Sequence, residues 1–425
     1  MKLEIGVRQR GKAQVIRGLK VLSLTVISGE AAAFSLLCPE PFSFPKKGAA
    51  MHFETMTFLL FSVLGLIDGA LFALLFRRRR FYFYALAMAL LGGAAGAYFL
   101  WYAKGYDGLG LWSLYLAYGM TGFMVAEIIA LFLLVPLSLL SLVKALRRAA
   151  KLLGALGLLA SLGIGIYGAY DGNHREVTEH HDIYVKDLPE ALEGYRFAQM
   201  TDTHIGPYFR YTDLPREMAR AKAEGAEAVF FTGDLIDDVR HMKETADILN
   251  EWQEAFPDGI LYAWGNHEYY RGKDLIRSEL LRTRVELLEN ESTVIRRGGA
   301  ALYVAGVDYP WSSGAARSLE MQDMMDFAYR DIPEGAPSIL LAHHSDFIDL
   351  GFERGAFLTL TGHTHGTQFG FFGRPIITPF RYTRGMYSDG MHQGYVSRGD
   401  ASWFPFRFSC DRELAVFTLH RKTEE

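Results

Sequence analysis

Five short apolar runs in the second half of the chain each end on acidic, imidazole or amide side chains, and this repetition restricts the fold more than anything else. Arg196–Met200 leads into TDTHIG, Ala228–Phe231 into GDLID, Ile260–Trp264 into GNHE, Ile339–Ala342 into LAHHS and Phe357–Leu360 into GHTHG. Apolar runs this short, bounded by turn formers, read as buried strands. In open α/β sheets, sites form beyond the carboxyl ends of the strands. The residues expected to converge there are Asp202, His204, Asp234, Asp237, Asn266, His267, Glu268, His343, His344, His363 and His365. Carboxylates, imidazoles and one amide, with no thiol, suit Mn, Fe or Zn rather than a soft-metal site.

The first half has a different character. At 425 residues the chain is long enough for more than one unit, and its apolar residues crowd the first 170 positions. A net charge of −4 offers nothing to attract nucleic acid. Two cysteines, Cys38 and Cys410, make neither a zinc ribbon nor a disulfide framework, so unpaired buried thiols are expected.

About five membrane helices are expected within residues 1–170: Val21–Cys38, Thr57–Phe76, Phe81–Ala103, Trp112–Val143 and Leu152–Tyr170. About 20 apolar residues cross a bilayer core of about 30 Å. The first stretch follows a basic region too long for a cleaved signal peptide. Gly92, Gly93 and Gly96 allow close helix contact. Basic clusters favour the cytoplasmic side. Five spans place the basic N-terminus, Arg77–Arg80 and Lys144–Lys151 there together, which puts everything after Tyr170 outside the cytoplasm. Glu30, Asp68 and Glu127 fall inside spans, where carboxylates are costly. Interhelical hydrogen bonds, or a place near the interface, account for three scattered acids better than a relay does.

Residues 171–193 read as a polar connector, with His174, His180 and His181 solvated rather than forming a second metal site. From 194 to 425, strands alternate with amphipathic segments. Helices are expected at Thr212–Gly225, Glu244–Phe256, Leu275–Leu288, Leu319–Tyr329 and Ser345–Phe352. Arg297-Gly298-Gly299-Ala300 reads as a hairpin turn, and Tyr395–Ser397 and Leu414–Leu419 as late strands.

The order D-x-H, GD-x-x-D, GNH-[DE], H, GH-x-H resembles the calcineurin-like metallophosphoesterases over about residues 190–425. It is most similar to a membrane-associated branch that includes UDP-2,3-diacylglucosamine pyrophosphatase-like enzymes; Leu188–Gly194 and Tyr395–Gly399 carry that likeness. The resemblance implies a β-sandwich flanked by helices, an α/β fold after an all-α membrane domain. It implies two divalent metals, with Mn favoured over Fe or Zn. Asp202, His204, Asp234 and His365 would hold the first metal. Asp234 would bridge, and Asn266, His343 and His363 would complete the second. His267 would protonate the leaving oxygen or stabilise the transition state. His343 is preferred to His344 because it directly follows its strand. Asp237 and Glu268 would orient their neighbours. Thr367 in GHTHGTQ and Ser345 in LAHHS depart from the branch's pattern without removing a ligand.

The physics agrees with this ligand set. Two cations about 3.5–4 Å apart activate a water and stabilise both oxygens of an in-line displacement. Neutral imidazoles and an amide keep such cations Lewis acidic. Between Phe369 and Phe408, four arginines (Arg374, Arg381, Arg384, Arg398) are interleaved with aromatics. They suit either phosphate and lipid contact or a small subcore with internal ion pairs. The expectation is a bilayer-anchored hydrolase of a phosphoester or pyrophosphate, its substrate lipid-linked. A cytoplasmic sugar-nucleotide pyrophosphatase and a non-enzymatic transporter or sensor are the rival readings.

Overall fold

The computed structural model describes residues 49–376 and 378–422. The expected span Val21–Cys38, with Glu30 and Cys38, lies outside the described residues. Helices α1 (Ala49–Phe76), α2 (Phe81–Gly105), α3 (Leu111–Leu140) and α4 (Arg147–His174) follow one another. All four are long and apolar enough to cross a membrane. Several boundaries differ from expectation, the largest at α1, which begins at Ala49 instead of Thr57. The stretch expected to run to Val143 stops at Leu140, soon after Pro136. Helix α4 starts at Arg147 instead of Leu152, because arginine and lysine are good helix formers and their charge does not end a helix.

Small residues let these helices touch. Gly92, Gly93 and Gly96 are buried, and a Cβ on Gly92 would meet the Phe61 carbonyl inside the 3.0 Å that real Cβ atoms keep. Gly122 and Gly165 bring α3 and α4 together in the same way. Asp68 and Glu127 are buried, but none of their carboxyl oxygens has a hydrogen-bond partner among the described residues. Among the described residues, the interhelical hydrogen bonds that were one of the two expectations for them are not made.

Residues 171–193 are regular structure for much of their length, although His174 and His180 are exposed as expected. Asp171–His174 is the last turn of α4, and Glu176–Val185 is strand β1. His181 stacks on Phe417 at 5.2 Å, and His180 lies 2.9 Å from Glu224. Polar composition misled here because β1 is an edge strand with one wet face.

The remaining strands are β2 (Arg196–Met200), β3 (Ala228–Thr232), β4 (Ile260–Ala263), β5 (Glu286–Leu287), β6 (Glu291–Arg297) and β7 (Ala300–Gly306). They continue with β8 (Ser338–Leu341), β9 (Leu358–Thr361), β10 (Gly370–Phe371), β11 (Arg374–Pro375), β12 (Gly385–Ser388), β13 (Gln393–Val396) and β14 (Arg412–Arg421). One six-stranded sheet has the order β1-β14-β2-β3-β4-β5, and the other β12-β13-β9-β8-β7-β6. β6 and β7 form the expected antiparallel hairpin.

Side chains alternate across each strand, so each sheet has two faces to cover. Phe197, Phe230 and Phe417 of the first sheet meet Val304, Ile339 and Leu358 of the second. Helices α5 (Leu214–Ala223), α6 (Met242–Trp252), α7 (Asn266–Arg271) and α8 (Lys273–Leu280) follow strands of the first sheet, and Met218, Leu249 and Ile276 cover its outer face. Helices α9 (Ala315–Tyr329) and α10 (Phe347–Glu353) cover the second through Met321, Met325 and Phe347. The result is the expected sandwich flanked by helices. The helix expected over Leu275–Leu288 ends at Leu280, and Glu286–Leu287 pairs with β4 as a strand.

This domain is seated on the turn between α2 and α3. The Tyr106 hydroxyl donates to Asp238 (2.9 Å), and Arg240 pairs with Asp107 (3.0 Å). Phe404 meets Phe99 edge-on at 5.6 Å, and the Arg407 N–H donates to the Gly168 carbonyl of α4 (2.9 Å). Arg77–Arg80 and Lys144–Arg147 lie at the opposite ends of the same helices.

Candidate metal centre

The parallel strands β2, β3, β4, β8 and β9 deliver their following loops to one edge of the sandwich. Five residues there have left-handed backbone: Asp202 (φ 54°), His204 (φ 43°), Asp234 (φ 55°), His363 (φ 70°) and His365 (φ 49°). For a residue other than glycine this costs about 1–3 kcal/mol and persists only where the surroundings enforce it. Backbone bonds enforce it here. The Asp202 N–H donates to the Gly233 carbonyl and the His204 N–H to that of Asp234, both at 3.0 Å. The His363 N–H donates to the Asp202 carboxylate at 3.0 Å. Each sharp turn brings its side chain back toward a common centre.

Two clusters result, joined by Asp234. In the first, the Nε2 atoms of His204 and His365 face each other at 3.2 Å, and His365 Nε2 lies 3.4 Å from Asp202 Oδ1. In the second, His363 Nδ1 lies 3.2 Å from His343 Nε2 and 3.0 Å from Asn266 Oδ1. Asp234 Oδ2 stands 3.6 Å from His204 Nε2 and 3.1 Å from His343 Nε2, between the clusters. Asp202 with His204 and His365, and Asp234 with His343 and His363, form groups whose atoms lie within 4.8 Å of one another. Ligands about 2.0–2.1 Å from a tetrahedral cation stand about 3.3 Å apart. The observed spacings fit that edge length, so the side chains suit a pair of divalent cations.

The carboxylates and imidazoles shift one another's proton affinities. Burial works against the Asp234 carboxylate, but His343, His267 and His204 hold it well below the usual range. Burial also lowers His343, yet Asp234 and Asp202 outweigh it and raise its imidazole to about 10. Burial and neighbouring histidines keep His363 and His365 well below the ordinary value, as neutral donors. The His343 Nδ1–H donates to the Thr232 carbonyl (2.7 Å), which turns Nε2 toward Asp234.

His267 stands beside the first cluster, its ring 4.4 Å from His204. Its Nδ1 bonds Asp237 Oδ1 at 2.6 Å, and its Nε2 lies 3.9 Å from Asp234 Oδ2. Burial lowers its proton affinity, but Asp237 and Asp234 raise it above the ordinary value. Glu268 accepts from the backbone N–H groups of Asp234 (3.1 Å), Leu235 (2.7 Å) and Gly265 (2.9 Å), and so ties the second and third loops together. His344 is buried, but its Nδ1 accepts from the Asp346 N–H (3.2 Å) and it belongs to neither cluster.

Tyr309 was not picked out from the sequence. Its ring lies 5.6 Å from His363 and 6.0 Å from His343. It follows the end of β7, a further strand reaching the same edge, and that position was the available signal. Thr367 has φ 62°, a left-handed position that glycine would occupy without strain.

Gly265 is fixed by close approach: a Cβ there would lie inside 3.0 Å of the Asp234 carboxylate and amide. Gly265→Ala is expected to displace Asp234 and reduce kcat by about a hundredfold, since misplacement of about 1 Å costs that much. Steady-state kinetics beside a crystal structure of the variant checks this; an unmoved carboxylate with unchanged kcat refutes it.

Residues 195–367 match the calcineurin-like phosphoesterase family. The uncharacterized metallophosphoesterase YkuE of Bacillus subtilis is 30% identical over 278 residues, which cover 63% of this chain and 93% of YkuE. A transmembrane protein with metallophosphoesterase domain from Danio rerio is 28% identical over 223 residues, half of each chain. Phosphodiesterase YaeI of Escherichia coli is 22% identical over 274 residues, 62% of this chain and 96% of its own. Likeness to YkuE over nearly its whole length, with the acids, imidazoles and amide gathered at one sheet edge, places this chain in the calcineurin-like metallophosphoesterases.

Proposed function

We propose that the protein is a membrane-anchored phosphoesterase whose two-cation centre faces away from the cytoplasm and acts on a lipid-linked phosphoester or pyrophosphate. The observation that carries this reading is the carboxylate of Asp234 standing between two imidazole clusters. Asp202, His204, Asp234 and His365 would hold one cation; Asp234, Asn266, His343 and His363 would hold the other. When bound, the pair would polarise the phosphoryl group and lower the pKa of the attacking water. The mixed imidazole and carboxylate set suits Mn, Fe or Zn, and manganese is the cation proposed from the family resemblance.

The chain's own residues supply the rest. His267, held by Asp237, keeps a proton on Nε2 at the edge of the centre and delivers it to the departing oxygen. Arg271 lies 3.3 Å from Asp237 and steadies the carboxylate behind that histidine. The catalytic domain, taken as residues 194–425 with β1 added, sits at the helix ends opposite the basic turns. Basic turns favour the cytoplasm, which supports an extracytoplasmic site. A site this close to the helices favours a substrate carried by the bilayer over a soluble cytoplasmic nucleotide sugar.

The test is turnover of bis-p-nitrophenyl phosphate with Mn²⁺, followed by a screen of phospholipids, prenyl pyrophosphates and nucleotide sugars. His267→Ala is expected to lose about a hundredfold or more in kcat while retaining both cations. Loss of a cation would make His267 a ligand, and an unchanged rate would remove it from the chemistry. A phosphatase reporter fused after Tyr170 reads the side; activity confined to a cytoplasmic reporter reverses the orientation.

A further inference from the structure

The segment that leaves the metal centre after His365 carries an apolar tip that the protein does not cover. β10 and β11 pair antiparallel, with Phe372-Gly373 as their turn. Phe372 is 100% exposed, Phe371 45% and Ile376 48%. Contiguous exposed apolar groups mark an interaction surface. The turn itself argues against accident. Both of its residues have positive φ, 50° at Phe372 and 74° at Gly373, a conformation for which Asn-Gly is preferred. A phenylalanine stands there against the local backbone preference. Arg374 is exposed, and its side chain has no ion-pair or hydrogen-bond partner among the described residues. Its neighbours are engaged: Arg381 with Asp349, Arg384 with the Ser409 carbonyl, Arg398 with Glu413 and Glu179.

The height of this tip follows from α4. About 20 helical residues span the hydrocarbon core, so counting from Lys151 the core ends near Asp171. Tyr167 and Tyr170, 41% and 47% exposed, then occupy the aromatic belt at the headgroups. The catalytic domain reaches down to this turn. Phe406 packs over Gly168, whose carbonyl accepts from the Arg407 N–H, and the Phe408 ring lies 5.7 Å from Tyr167. The Phe371 ring lies 5.5 Å from Phe408. Two successive ring contacts thus link the belt residue of α4 to the hairpin.

We infer that the β10–β11 hairpin is seated in the leaflet on the catalytic side, with Phe372, Phe371 and Ile376 below the headgroups and Arg374 against an anionic lipid phosphate. The inference rests on the four helices being membrane-spanning and does not depend on the substrate. Gly366–Phe369 alone separate the hairpin from His365, so lipid that holds the tip also holds the metal loop at the bilayer surface.

The test uses the full chain in vesicles of phosphatidylcholine and phosphatidylglycerol, with Cys38→Ser leaving the buried Cys410 as the remaining native thiol. Phe372→Cys and, separately, Ile376→Cys carry an environment-sensitive fluorophore. Leu159→Cys, on an exposed position of α4, sets the lipid limit, and Lys186→Cys, just past the far end of β1, sets the water limit. Labels at 372 and 376 are expected to be quenched several-fold by spin-labelled phosphatidylcholine and spared by iodide, as at 159. Labels quenched by iodide as at 186, or shielded from both quenchers as a contact with a second copy would shield them, overturn the inference. The readout is independent of turnover, so an inactive enzyme would leave it intact.

Discussion

Asp234→Asn is expected to lower turnover of a phosphodiester on the order of a thousandfold, the upper end of the loss when one electrostatic group of an active site is removed. The exchange keeps the shape and removes the charge. It leaves an oxygen that can still accept from the His267 N–H, as Oδ1 does now at 2.9 Å. What it changes is the Oδ2 position, which faces His204 and His343 at 3.6 and 3.1 Å. An amide NH₂ there offers no lone pair to either cluster and removes the negative charge between them. Bound cations per chain, measured by atomic emission, should fall with the rate while the far-ultraviolet circular dichroism is unchanged. Wild-type turnover with full cation content would mean that Asp234 does not join the clusters, and the two-cation reading would fail with it.

Gly172→Leu is expected to unseat the catalytic domain from α4. A Cβ at Gly172 would fall inside 3.0 Å of the Arg407 carbonyl, a backbone group that cannot swing aside. Overpacking costs about 1–3 kcal/mol, and a backbone obstacle puts this site at the upper end. The effect should reach the metal centre. Arg407 is fully buried and donates to the carbonyls of Arg398 (2.7 Å) and Ala401 (2.6 Å), and Cys410 Sγ lies 3.3 Å from the His365 carbonyl. Shifting this segment therefore moves His365. The control is Gly163→Leu on the same helix, where a Cβ would meet nothing within 4 Å. Thermal unfolding and limited proteolysis in detergent should separate the two variants. Equal melting temperatures and cleavage patterns would show that the domain does not depend on this contact.

The legible parts of the fold were those with a strong local signal. β2 begins and ends where its apolar run does, and β6 and β7 flank their glycine turn as expected. Met321 and Met325 of the expected helix over Leu319–Tyr329 are core residues, and Met324 packs half-buried against them. The two misread strands share one cause. Glu176–Val185 is polar along one face, yet it pairs in parallel with Arg412–Arg421 from the far end of the chain. Glu286–Leu287 looked like the end of a helix, yet it is a strand because β4 offers it an open edge. A pairing partner distant in sequence leaves no trace in local composition.

The candidate site divides the same way. Which side chains stand at the strand ends can be read from the motifs, because each motif directly follows its apolar run. Their left-handed backbone, the facing of His204 Nε2 and His365 Nε2 and the role of Glu268 in binding two loops come only from tertiary packing. Tyr309 escaped notice because aromatic contact with His363 needs two strand ends to be neighbours.

By itself the sequence determined the helices long enough to cross a bilayer, the strand ends and the chemistry of the side chains they carry. Apolar length, strand period and donor type are properties of contiguous residues. Only the tertiary structure decided that β1 belongs to the sandwich, that Asp68 and Glu127 are buried without hydrogen-bond partners among the described residues, and that Phe372 stands uncovered. Each of these depends on which remote surfaces meet, and that is settled by the packing of the whole chain.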